Sequence, residues 1–350
     1  QWYFGANHPN IEISYDYNTL RKSVTVNIKQ IQTQTFKFPF AIDIFEGSKK
    51  TRHTVFVASN DASFTFPYNK QPNLIQVNAD NVLVCNLYEN KILSEYIFQL
   101  KNADNFAHRR DALFQVASKQ DDKNAFNAIV DALDDDAYKI RILALQQIDL
   151  INKFSKKDAI RKIMRMANND DKTLVQAEAL STLGKLTDPE LKPIFEKALQ
   201  SKSYSVLGKA LVSIYYIDQP LAIQKSKELP DEVRKILATP LTRIFIEAKD
   251  ESELPFVARS VVSGMFLAND DATKVLYQKA FDLIAVSNNT EAIQNLVDDM
   301  VLKGKQYTGF NFDKVMINLM RKMIDQQKKE SKSNYLNNID IIKTAMSKLL

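Results

Sequence analysis

Ile11-Glu12-Ile13-Ser14-Tyr15-Asp16 and Ser23-Val24-Thr25-Val26-Asn27-Ile28-Lys29-Gln30 alternate apolar and polar residues at every second position. A β-strand points successive side chains to opposite faces, so this pattern predicts strands with one face in a core and one in water. The same texture runs to about residue 85, rich in β-branched and aromatic residues. Turn-forming clusters interrupt it at Glu46-Gly47-Ser48, Ser59-Asn60-Asp61 and Asn69-Lys70-Gln71-Pro72. Regular short strands with such turns predict an antiparallel sandwich of six or seven strands. Ile42 to Phe45 and His53 to Val57, joined through Gly47, read as a hairpin. Phe36, Phe38, Phe40, Phe45, Phe56, Phe64 and Phe66 fall at strand spacing and read as core.

Beyond residue 90 the alternation stops and helical periodicity takes over. Lys91 to Leu100 reads as a bridging helix with Ile92, Leu93, Tyr96, Ile97 and Leu100 on one face. An Ala-Leu pair then recurs at Ala112-Leu113, Ala144-Leu145, Ala179-Leu180 and Ala210-Leu211, at intervals of 32, 35 and 31 residues. Each pair sits inside a helix followed by a short turn, such as Gln120-Asp121-Asp122 or Thr187-Asp188-Pro189, and a second helix. Helix pairs at that period predict an α-solenoid of short HEAT-like repeats. The small Ala lets helices approach, and the Leu fills the layer between them. The pattern blurs after Pro230, and Lys328 to Asn334 reads as a polar loop before a last helix, Asn337 to Leu350. The expected fold is α+β: a β-sandwich domain over 1–88 and an all-α HEAT-like solenoid over 89–350.

The 350 residues are 45% apolar and 25% charged, which excludes disordered and low-complexity classes. Forty-seven basic against 42 acidic residues leave +5, a weak bias that does not call for nucleic acid. No apolar run approaches the roughly 18–20 residues of a membrane span. Seven glycines are few for a Gly-rich nucleotide fold, and neither phosphate-loop motif occurs. The chain begins at Gln1 without a basic and apolar leader, and is expected to be a piece of a longer protein. The sequence leaves the cellular compartment open.

Catalytic and metal motifs are sparse. His8, His53 and His108 are too far apart in sequence for an H-E-x-x-H or H-x-H pair. Cys85 is the lone cysteine, so no intrachain disulfide forms. A Cys85–His pairing in space stays open, but Val82-Leu83-Val84-Cys85-Asn86-Leu87 reads as an apolar strand holding an inert thiol. Asp134-Asp135-Asp136, Asn169-Asp170-Asp171 and Asn269-Asp270-Asp271 each precede a helix and read as caps, since none continues as a calcium loop. The basic stretches Lys153 to Arg165 and Arg321 to Lys332 interleave acids and read as solvated faces.

The opening resembles the aminopeptidase N family of zinc metallopeptidases. In that family the segment after the catalytic domain begins a β-sandwich with W-x-x-x-x-G-x-P and alternating apolar residues. Here Trp2 and Pro9 stand at those positions, and Asn7 replaces the glycine. Asn is the non-glycine residue that best tolerates positive φ, so the turn is expected to survive. Ser23 to Gln30 resembles the family's second sandwich strand, and Phe38-Pro39-Phe40 the start of its third. The resemblance implies structural roles for Trp2, Asn7 and Pro9, with Trp2 packed near Ile11 or facing a preceding domain. It implies a helical HEAT-like region after the sandwich, closing over an active-site chamber. The family's zinc ligands, G-x-M-E-N loop and catalytic Tyr have no counterpart in this chain, so no catalytic, cofactor or metal residue is carried over. Zinc is expected in a catalytic domain upstream of Gln1, with that domain and its peptide substrates as partners. Two alternatives remain: a relative that keeps the fold without peptidase activity, and an unrelated HEAT-type interaction scaffold.

Overall fold

The computed structural model describes residues 7–151, 154 and 156–350. Among these are seven strands followed by seventeen α-helices, an α+β order in which no helix precedes residue 90 and no strand follows it. Two compact units divide the chain, Gln1–Arg165 and Met166–Leu350. The first therefore holds the sandwich together with the first helices, while the change from strand to helix comes at Glu89.

The first unit opens with β1 (Asn10–Asn18), β2 (Ser23–Gln30), β3 (Phe38–Glu46), β4 (Lys49–Val57), β5 (Asp61–Pro67), β6 (Leu74–Val77) and β7 (Asn86–Glu89). Two sheets form, ordered β5-β2-β1-β7 and β4-β3-β6. Ile11, Val24, Val26 and Ile28 of one sheet meet Phe38, Phe40, Ile42 and Ile44 of the other in a single core. The β3–β4 hairpin pairs Phe38 with Val57 and Glu46 with Lys49 around Gly47, whose φ of 64° is one a side chain rarely adopts.

The sandwich is not wholly antiparallel: β7 pairs parallel to β1, with Asn10 opposite Asn86. The chain leaves the β4-β3-β6 sheet after β6 and lays β7 beside β1; such a parallel pair cannot come from a tight hairpin between the two strands. Val82 and Val84 are exposed and the strand starts only at Asn86, so the apolar run is mostly crossover loop. Phe56 is exposed because β4 alternates and puts it on the outer face, while Phe36, Phe38, Phe40, Phe45 and Phe66 are buried.

From Ile42 to Phe45 β3 is buried on both faces, as β6 is and β4 is not. α1 (Leu93–Asn102) covers its outer side, with Phe98 edge-on to Phe45 at 5.7 Å. Asp43, pointing that way, is buried and bonded through Oδ2 to Arg52 Nη2 at 2.7 Å. Ile92 precedes α1 as its cap and is exposed, so the apolar face begins one residue later than the periodicity suggests.

α2 (Phe106–Ala117), α3 (Lys123–Ala132), α4 (Tyr138–Gln147) and α5 (Lys156–Asn169) follow. The second unit contains α6 (Thr173–Gly184), α7 (Lys192–Ala198), α8 (Tyr204–Tyr215), α9 (Gln219–Lys227), α10 (Asp231–Ile236), α11 (Ala238–Glu247), α12 (Leu254–Ala258), α13 (Val261–Phe266), α14 (Asp271–Ala285), α15 (Thr290–Gln306), α16 (Phe312–Glu330) and α17 (Tyr335–Ser347). The four Ala-Leu pairs fall inside α2, α4, α6 and α8, and all eight residues are 0% exposed. Small and large apolar residues thus alternate through the helical layers as the repeat requires. Lys328 to Glu330 continue α16 rather than forming a loop, and the helix stops at Ser331, which takes φ 47°.

A buried polar knot joins the end of α14 to the last three helices. Gln327 Nε2 donates to the carbonyls of Ala285 (2.8 Å) and Ser287 (3.0 Å), and Asn338 Nδ2 donates to Gln327 Oε1 (3.1 Å). Thr290 Oγ1 donates to Asn338 Oδ1 at 3.0 Å, so the carbonyls at the end of α14 find partners without water.

Candidate functional site

A groove of about 920 Å3 lies in the second unit, lined across α6, α8 and α11 with the start of α14 on its rim. Two glycines let its helices approach. A Cβ on Gly184 would lie 2.4 Å from Ser213 Oγ of α8, and one on Gly208 would lie 3.1 Å from Pro240 Cγ of α11. Val212 and Leu237 contribute apolar lining, and Ser205 and Thr239 bring hydroxyls.

Each groove glycine is followed by an exposed lysine, Lys185 and Lys209. Lys209 Nζ lies 3.2 Å from Ser181 Oγ, and among the described residues neither lysine forms an ion pair. Arg243 contributes a third positive charge, loosely held by Glu247 at 3.6 Å. Tyr216 donates to the same Glu247 carboxylate at 3.3 Å, and burial, then Glu247, raises its phenol above the ordinary range. Asp270 is the one carboxylate of the lining. It is already engaged: Oδ1 accepts the Thr273 N–H at 2.8 Å as the α14 cap, and that bond lowers its pKa. The lining contains no His or Cys. Lys185, Lys209 and Arg243 against Asp270 make the lining predominantly cationic.

The residues singled out from sequence are scattered. Trp2 lies outside the described residues. Asn7 takes φ 77°, the conformation that favours glycine, and Asn supplies it at small steric cost. Pro9 is buried, and its carbonyl accepts the Asn86 N–H at 2.9 Å, tying the start of β1 to β7. His8 is exposed, and His53 stacks on Phe66 with ring centroids 4.4 Å apart. Cys85 packs against the sandwich core, and burial pushes its thiol up to about 11, so little thiolate is present at neutral pH.

Of the acidic clusters, Asp270 alone is an N-cap residue. Asp135 and Asp170 accept from Ala137 N (2.8 Å) and Lys172 N (2.9 Å), one turn ahead of their helices. Asp135 also holds Arg109 at 2.8 Å, and Asp134 holds Lys162 at 2.6 Å, so these acids serve ion pairs as well as turns. In the basic stretches Arg161 pairs with Asp158, and Lys328 lies 4.0 Å from Asp325; Lys153 lies outside the described residues. Among the described residues no group of three or more His, Cys, Asp or Glu is placed to hold a metal ion.

His108, the third histidine noted in the sequence, lies in the first turn of α2 and is buried against β6 and α1. The Asn78 carbonyl can only accept, so His108 Nε2–H donates to it at 3.1 Å. Nδ1 then accepts from Gln76 Nε2–H at 3.2 Å, and the ring is neutral. Burial lowers its pKa below the usual value, with Lys91 adding to the effect and Asp111 opposing it. The unfolded chain therefore binds this proton more readily than the folded one. Stability from this site is fully present above about pH 6.5 and falls as pH drops below it. Melting followed by circular dichroism between pH 7.5 and 5 should show a falling midpoint. The fall should be shallower in His108→Gln, whereas equal slopes in the two proteins would exclude this role.

Comparison with known proteins supplies fold relatives. Residues 127–215 match the family model for HEAT repeats. The fold is similar to that of Legionella pneumophila aminopeptidase A, solved in complex with aspartic acid, at TM-score 0.53 and 14% identity. That likeness covers 99% of this chain and 49% of the enzyme, so the chain spans about half the enzyme's length. The CpcE–CpcF complex of phycocyanin lyase from Nostoc sp. PCC7120 is similar over 75% of this chain and 96% of that one, at 19% identity and TM-score 0.36, too low to bear on the fold. No curated protein matches the chain in sequence. No helix among the described residues is long and apolar enough to cross a membrane.

Proposed function

We propose that this chain is the non-catalytic C-terminal part of a zinc-dependent aminopeptidase, in which the helical region shapes the access of peptides to a catalytic domain that precedes it. The observation that carries this reading is the order of sandwich then helices, shared over 99% of the chain with half of an aminopeptidase. The W-x-x-x-x-N-x-P opening at Trp2, Asn7 and Pro9 supports it from the sequence side. Hydrolysis at neutral pH by zinc requires protein ligands and an open coordination position for water. Those residues belong, on this reading, to the preceding domain. The present chain contributes packing and a concave helical surface, which stacked helix pairs form naturally.

A second reading, a HEAT-type interaction scaffold without peptidase activity, is favoured by the repeat match over residues 127–215. Purified alone, the chain should carry no stoichiometric zinc and release no coumarin from aminoacyl-coumarin substrates. Joined to the preceding region of its own polypeptide, it should support zinc-dependent release. Turnover by the isolated chain overturns its non-catalytic role, and an inactive joined protein without zinc favours the scaffold.

A further inference from the structure

We propose that the groove across α6, α8 and α11 binds an extended peptide segment carrying acidic side chains, with Lys185 and Lys209 as the two charge contacts. Elsewhere in the second unit many cations are already paired: Lys192 with Asp218, Lys227 with Asp250, Arg234 with Glu253 and Lys225 with Glu228. Lys185 and Lys209 instead stand on the lining of a concavity without an acidic partner among the described residues. The single carboxylate there, Asp270, is turned to its own helix end by the Thr273 N–H. Arg243 has Glu247, but the two lysines face only one occupied carboxylate, and their missing complement is negative charge.

The rest of the lining selects a peptide over a nucleic acid. A phosphate backbone is held by many cationic contacts spread along it. This groove offers three, interleaved with the apolar side chains of Val212, Ile236, Leu237 and Pro240. An extended peptide uses both kinds of surface, since alternate side chains turn to opposite sides. The Ser205 hydroxyl lines the groove as a polar group for its main chain, while those of Ser181 and Thr239 are bonded to Lys209 and Tyr277. The volume, about 920 Å3, holds several residues.

The inference rests on the reading of the helical region as a peptide-facing wall, but binding can be measured on the 350-residue chain without any catalytic domain. Fluorescence anisotropy of a labelled nine-residue peptide alternating Glu with Leu is the primary reading, beside a Lys-Leu peptide and a single-stranded RNA oligomer of equal length. The acidic peptide should bind, weaken steeply with added salt, and lose roughly tenfold or more in affinity in Lys185→Glu/Lys209→Glu, a change of about 1.4 kcal/mol per decade. Ser205→Trp, which fills the groove without changing charge, should weaken it similarly. Both variants alter exposed residues, and an unchanged melting temperature establishes that they fold. Equal binding by both variants, preference for the Lys-Leu peptide, or tighter binding of the RNA overturns the proposal. Acidic-peptide binding together with an inactive joined protein would sustain the groove and remove only the aminopeptidase reading.

Discussion

Gly264→Ala should destabilise the protein by about 1–3 kcal/mol, the range for forcing extra volume into a packed core. Gly264 lies in α13, and a Cβ built there would sit 1.9 Å from Cδ2 of the Tyr277 ring in α14. That overlap lies deep inside any permitted contact, and Tyr277 is 2% exposed, so the ring has little room to withdraw. The phenol hydroxyl is also 3.2 Å from Thr239 Oγ1, which fixes the far end of the ring. In a free helix Ala is favoured over Gly by about 1 kcal/mol, so the sign of the measured effect separates packing from propensity. In a Tyr277→Ala background the clash is gone, and adding Gly264→Ala should then be neutral or stabilising. Urea unfolding of the four proteins gives the coupling directly. An equal loss in both backgrounds would place the cost elsewhere.

A larger loss, about 3–5 kcal/mol, is expected for Arg234→Ala. Its guanidinium, in α10, pairs with Glu253, and both side chains are largely shielded, at 15% and 12% exposure. The same guanidinium lies 4.5 Å from the Phe256 ring centroid and 5.8 Å from that of Phe245. These two rings meet edge-on at 6.1 Å, so the cation is framed by aromatic faces as well as by its counter-charge. Removing it leaves Glu253 poorly solvated and unpaired, and that residual charge is the dominant cost. Arg234→Lys keeps the charge but not the planar stack, and should fall between wild type and Arg234→Ala. Replacing Glu253 by Gln in the Arg234→Ala protein should recover part of the loss. Urea midpoints give both results, and no recovery in the double variant would show that aromatic packing, rather than the orphaned carboxylate, dominates.

Much of the fold was legible because one physical pattern spoke for each element. Period-two alternation located β1 and β2, Gly47 located the β3–β4 turn, and Ala112, Ala144, Ala179 and Ala210 marked positions that proved wholly buried. What remained hidden depends on contacts distant in sequence. The second half of β3 is buried on both faces where α1 covers it, and β7 runs parallel to β1 after the chain changes sheets. Phe56 looked like core by residue type, although the register of β4 turns it outward. His108 sits in a helix and acquires its neutral, bonded state from Gln76 and Asn78, 32 and 30 residues earlier.

The groove lysines carried a faint signal that charge runs did not reveal. Gly184-Lys185 and Gly208-Lys209 repeat a small residue followed by a cation on two neighbouring helices. The glycine brings the helices together, and the next residue projects over the gap. Lys153 to Arg165 and Arg321 to Lys332 drew the eye by composition, yet several of their charges are matched by nearby acids. Unpaired charge at a concavity, which only the folded chain exposes, is the more informative feature.

The measurement that tests the aminopeptidase reading most directly is mass spectrometry of a defined peptide incubated with the protein in which this chain follows the proposed catalytic domain. Stepwise loss of N-terminal residues, stopped by a chelator and restored by zinc, is the predicted result. An intact peptide beside a folded protein that binds no zinc would contradict it.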